Sequence, residues 1–77
     1  MQIDYQKFLE ELLYLKWNVV EVRANRWEYE TELAIWNHLF QNTTDDFCTC
    51  NNQYDVIGRY VSFKSRTDAL VFKLAFG

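Results

Sequence analysis

At 77 residues, with 49% hydrophobic and 25% charged residues, the chain has the composition of a single globular domain, 1–77, and not that of a disordered segment. So short a chain buries only about 60% of its unfolded surface, a thin margin that 3 Trp, 5 Tyr and 6 Phe offset. The net charge of −3 argues against a generic nucleic-acid binder, and nothing approaches the roughly 20 apolar residues of a membrane span.

The charge is unevenly spread. Residues 1–46 hold nine acids and four bases, whereas residues 47–77 hold two acids, Asp55 and Asp68, and four bases. With no Pro and only 2 Gly, there is no linker, repeat or low-complexity tract. The first residues, Met1 to Phe8, lack the basic start and apolar run of a signal peptide, so a cytosolic location is the expectation.

Asp4 is a good N-cap, and Ile3 with Phe8 has the spacing of a hydrophobic staple. Phe8, Leu9, Leu12 and Leu13 form one apolar stripe, which predicts a first helix from Asp4 to about Lys16, with Asn18 as its stop. Val19 to Arg23 reads as a short strand, Val20 and Val22 on one face and Glu21 and Arg23 on the other. Asn25 followed by Glu28 fits a capping box and predicts a second helix from Arg26 to about Gln41. Its stripe is Tyr29, Leu33, Trp36 and Phe40, widened by Ile35 and Leu39, the strongest periodic signal in the chain.

Asn42 to Asp46 is a loop by composition. Phe47 to Cys50 predicts a short strand, turned by Asn51, Asn52 and Gln53 into a second strand, Val56–Phe63, as a hairpin. There Val61 and Phe63 face the core and Tyr60 lies on the opposite sheet face, beside Gly58. Ser65 and Asp68 fit another capping box, the Ser65 hydroxyl taking the Asp68 amide and Asp68 reaching back to Ser65. The final helix puts Ala69, Phe72 and Phe76 on one stripe, with Leu70 and Leu74 beside it.

The predicted fold class is α+β. After an added N-terminal helix, the order β-α-β-β-α is that of a ferredoxin-like split βαβ lacking its last strand. The Val19–Arg23 strand is then a free edge, open to homodimer formation or to a strand from a partner, unless the first helix covers it.

Two resemblances meet in the last third. Tyr60-Val61-Ser62-Phe63, with Ser65 and Asp68-Ala69 behind it, resembles the third strand and second helix of an RNA recognition motif. The last four positions of that family's signature strand match; the first four do not. Gly58 stands where a stacking aromatic is expected and Arg59 where a small residue is, and Val19 to Arg23 shows no stacking aromatic. The stretch Asp68-Ala69-Leu70-Val71-Phe72-Lys73-Leu74-Ala75-Phe76-Gly77 is similar to the close of short uncharacterised accessory proteins of tailed (T4-like) bacteriophages. Those end in a strand, a polar turn, Asp-Ala, Phe-Lys-Leu and a closing aromatic. That resemblance implies a small phage protein that binds host machinery or blocks host defence in the host cytoplasm, with no fixed activity.

The candidate chemistry is sparse. Cys48, Cys50 and His38 are one ligand short of a zinc site and lack its usual cysteine spacing, so no metal or other cofactor is expected. The cysteines read as free thiols in a strand. His38 reads as structural, since no Ser or Cys can be placed beside it, and no enzyme activity is expected. Trp17, Trp27 and Tyr14 fall off the core stripes and are candidate interface anchors. Glu28 and Glu32 share a face near a helix N-terminus, where acids favour the macrodipole and where an acidic face can meet a basic partner. Tyr60 with Arg59, Lys64 and Arg66 is the candidate surface for the alternative, an RNA-recognition-motif-like nucleic-acid module. The leading expectation is non-catalytic binding to a host protein.

Overall fold

The computed structural model describes residues 1–53 and 55–77. Its described residues form helix α1 (Tyr5–Leu12), strand β1 (Asn18–Glu21), helix α2 (Tyr29–Asn42), strands β2 (Phe47–Cys48) and β3 (Tyr60–Phe63), and helix α3 (Arg66–Phe76). The fold is α+β, with one three-stranded antiparallel sheet in the order β1-β3-β2.

Local signals start the first and last helices as the sequence predicts. The Asp4 carboxylate accepts the Lys7 amide at 2.7 Å, and the Ser65 hydroxyl accepts the Asp68 amide at 3.3 Å. Ile3 and Phe8 pack in one cluster, as the staple requires. The second helix starts later than predicted. Asn25 caps no helix: its side chain takes the Trp27 amide at 3.2 Å and its carbonyl the Glu28 amide at 3.1 Å, closing a turn. Helix α2 then begins at Tyr29, with Glu28 as an N-cap that makes no side-chain bond.

The sheet has two unequal faces. Val20, Val22, Val61, Phe63 and Phe47 point to the layer of α2 and α3, where Ile35, Leu39, Ala69 and Phe72 complete the main core. Each fully buried aliphatic or Phe side chain there contributes about 1.5–3 kcal/mol. On the other face a smaller cluster joins Ile3, Phe8, Trp17 and Cys48. Phe8 is the one residue of α1 that is buried; Leu9, Leu12 and Leu13 are exposed, so the predicted four-residue stripe is not a buried one.

Two further expectations are corrected. The strand predicted over Val56–Phe63 is regular only from Tyr60, because Ile57 turns into the core and Gly58 packs against the Thr49 and Cys50 carbonyls. A Cβ on Gly58 would sit 2.7 Å from the Thr49 oxygen, so no other residue fits without movement. Strand β2 ends at Cys48, β3 begins at Tyr60, and the Gly58 amide donates to the Thr49 carbonyl at 2.9 Å between them.

Asp68 does not reach back to Ser65. It is 4% exposed, and its carboxylate accepts the Thr44 amide, the Thr44 hydroxyl and the Asp45 amide, each at 3.0 Å. This clamp ties the loop between α2 and β2 to the start of α3. Hydrogen bonds to a charged group contribute about 1.5–3 kcal/mol each before coupling. Asp68→Ala is expected to lower unfolding stability by about 3 kcal/mol or more, and Ser65→Ala by about 1 kcal/mol. Urea unfolding followed by tryptophan fluorescence checks both. An Asp68→Ala midpoint equal to the parent's means that the clamp carries no stability.

Candidate interaction surface

Helix α2 carries the main departure from the sequence expectation. The residues that enter the core are Ile35 and Leu39. Tyr29, Leu33 and Phe40 are exposed, Phe40 at 62%, and Trp36 is half-buried. The helix is apolar on two sides, and the main core takes the aliphatic side, Ile35 and Leu39. The spacing of Tyr29, Leu33, Trp36 and Phe40 puts them on one face. The Trp36 and Phe40 rings stack with centroids 5.7 Å apart, and Phe40 meets Phe47 edge-on at 5.8 Å. An open pocket of about 290 Å³ lies at this end, lined by Gln2, Trp36, Phe40 and Asp55.

The predicted anchors separate. Trp17 is not a surface anchor: it is 5% exposed and meets Phe8 edge-on at 5.3 Å. It lies between α1 and β1, outside any periodic pattern, so the sequence carried no sign of its burial. Trp27 is 78% exposed, with the Arg26 guanidinium 4.9 Å from its ring centroid, a cation–π contact that leaves the rest of the indole free. Tyr14 is 87% exposed, in the same stretch as exposed Leu12, Leu13 and Leu15. Glu28 is exposed and Glu32 half-buried, both near the α2 N-terminus.

The bases of the alternative surface are mostly engaged. Tyr60 is partly exposed, but Arg59 lies over its ring at 5.6 Å. Arg59 also pairs with Glu21 at 3.1 Å, and Glu21 with Arg23 at 3.3 Å. Lys64 is 3.8 Å from Asp46. Arg66 is exposed. Phosphate binding at Arg59 or Lys64 competes with Glu21 or Asp46.

The sheet edges differ. The amide and carbonyl of Phe47, on the outer side of β2, bond Met1 and Ile3 at 3.0 and 2.9 Å. The N-terminal residues thus cover that edge, and α1 does not cover β1. On β1, Val22 donates to Arg59 at 2.8 Å. With the register Val20↔Val61, antiparallel alternation turns the backbone groups of Val19 and Glu21 outward. Among the described residues no strand pairs them. A groove of about 800 Å³ runs beside this edge, lined by Val19, Val20, Arg23, Leu70, Lys73 and Leu74.

His38 is half-buried, edge-on to Phe72 at 5.7 Å and Phe76 at 5.4 Å, and this burial lowers its pKa. Cys48 and Cys50 do not lie as alternating residues of one strand. Cys50 is left-handed, φ 54°, and its amide reaches the Cys48 sulfur at 3.3 Å. The Cys50 sulfur lies 3.0 Å from the Ser62 hydroxyl. The Cys48 hydrogen bond, with that of Ser62, brings the Cys50 thiol down to about 7 against the opposing effect of burial; the same contact and burial push Cys48 up. Among the described residues no group of three or more His, Cys, Asp or Glu is placed to hold a metal ion, and no helix is long and apolar enough to cross a membrane.

Comparison with protein-family models, curated proteins and solved structures finds no match to this chain.

Iodoacetamide is expected to alkylate Cys50 with a rate that rises through about pH 7, while Cys48 stays unmodified in the folded protein. Ser62→Ala, which removes a donor to the thiolate, is expected to move that midpoint upward. Mass spectrometry across pH reads both. A Cys50 rate that rises only through about pH 8.5, as for an ordinary thiol, overturns this assignment.

Proposed function

We propose that this chain is a small non-catalytic binding protein that covers a surface of a host protein, in the manner of the phage accessory proteins its last helix resembles, in the host cytoplasm. The observation that carries this reading is the α2 face. Three of the four residues of the most regular apolar stripe in the chain, Tyr29, Leu33 and Phe40, are exposed, Tyr29 at 72% and Phe40 at 62%. Exposed Trp and Tyr beside aliphatic residues are the composition of interface hot spots. A solvent-facing stripe of this kind costs solubility unless a partner covers it.

β3 lies between β1 and β2, antiparallel to both. The connection from β1 to β2 passes through α2, and α3 follows β3. This order supports a ferredoxin-like split βαβ without its last strand, with α1 added on the opposite face. A binding role needs no reacting group, and His38 is half-buried beside the Phe72 and Phe76 rings with the Asn42 amide nitrogen 3.5 Å from its Nδ1.

The test is capture from bacterial lysate on the immobilised protein, with and without nuclease. A protein band that survives nuclease is expected. Tyr29→Ala and Phe40→Ser are each expected to weaken its retention by roughly 30-fold, the effect of losing one hot-spot aromatic of about 2 kcal/mol. Circular dichroism confirms the fold of each variant. Two folded variants that retain the partner as the parent does sink the α2 assignment. Bands that vanish with nuclease move the function to Tyr60 and its basic neighbours.

A further inference from the structure

We infer that the open edge of β1 is the seat of a second copy of this chain, joined strand to strand about a two-fold axis at Val20. The edge is short. Arg23 and Ala24 donate to the Phe76 carbonyl at 2.9 and 3.2 Å, which closes β1 beyond Glu21. What remains open on β1 is the outward amide and carbonyl of Val19 and those of Glu21. These two residues flank Val20 symmetrically. Antiparallel pairing about Val20 sets Val19 against Glu21 of the copy and Glu21 against its Val19, and every one of these groups finds a partner.

Other registers serve the edge less well. Centring on Glu21 sets Val19 against Arg23, whose amide is already taken by Phe76. It also opposes two Glu21 side chains directly. In the Val20 register Glu21 faces a valine, and its charge is held by Arg23 at 3.3 Å and Arg59 at 3.1 Å within its own chain.

The helix beneath the edge supports the same occupant. Leu70, Lys73, Leu74 and Gly77 follow the spacing of a helix seam and line the groove beside β1. Leu74 is 89% exposed. A two-fold brings this side of α3 from each copy toward one seam below the joined strands. A flexible peptide is a poorer occupant, because so short an edge returns few hydrogen bonds for the ordering of a free chain. A second copy arrives with its strand already formed. The joined sheet has six strands and no exposed β1 edge, since the outer side of β2 is covered by the chain's own N-terminal residues.

Light scattering after size exclusion, across a concentration series, is expected to give a mass rising from 9.4 kDa to twice that value. Val19→Pro removes one outward donor at an edge position that tolerates proline, and Leu74→Lys places a charge in the seam. Both are expected to hold the protein at 9.4 kDa, with the emission of buried Trp17 unchanged. Phe40→Ser, on the separate α2 face, is expected to dimerise as the parent does. Amide exchange at Val19 and Glu21 is expected to slow as the dimer fills. A parent that stays at 9.4 kDa at millimolar concentration, with those amides exchanging freely, overturns the assignment and leaves the edge to a foreign strand. Dimers of unchanged affinity in both edge variants overturn it as well.

Discussion

β3 is the strand on which the other elements converge. Its residues hydrogen-bond to β1 on one side and β2 on the other, and Val61, Ser62 and Phe63 are all buried. Strands β1 and β2 do not touch each other, so neither has a sheet without it. Alternation divides the work. Val61 and Phe63 enter the main core, while Ser62 faces the other layer and meets the Cys50 sulfur. The Asp68 clamp, five residues after Phe63, then fixes the approach of β2 through the Thr44 and Asp45 amides. One short stretch thus sets both the sheet order and the position of the last helix.

A sheet of so few residues cannot cover every apolar face of three helices. The main core takes Ile35 and Leu39 from α2, and Ala69 and Phe72 from α3. The second cluster takes Phe8 from α1. What remains apolar and unburied collects in separate places: the α2 stripe, the end of α1 about Tyr14, and the groove between β1 and α3. In a small domain such surplus is a cost to solubility and stability.

The legible parts of the fold are those decided within a few residues. Asp4 and Ser65 announce their helices because an N-cap bond closes over three positions. The alternation of Val20 and Val22, and of Val61 and Phe63, names the inner sheet face for the same reason. The illegible parts are decided by distant neighbours. The stripe of Tyr29, Leu33, Trp36 and Phe40 is as regular as any core stripe, and only the fit of α2 against α3 and the sheet selects Ile35 and Leu39 instead. Asp68 looks like a capping-box acid until the Thr44 loop, 24 positions earlier in the chain, comes within reach. Cys50 looks like a strand residue, and its left-handed backbone lies where Gly58, distant in sequence, comes close to its carbonyl. Of the anchor candidates, Trp27 and Tyr14 are exposed, whereas Trp17 closes the smaller cluster.

The same geometry explains why the α2 face and the β1 edge can work independently. The groove beside β1 is lined by β1, α3 and Gly77, and none of its residues belongs to the α2 stripe. A two-fold through Val20 leaves both α2 faces outside the joined strands. Two such faces on one particle raise the effective concentration of the second contact once the first is made. That gain requires a partner with two sites, or two partners held near each other, because the spacing is fixed by the sheet and not by a flexible linker. A short open edge and a solvent-facing aromatic helix would each be a liability in a lone monomer. The two proposed contacts cover one each.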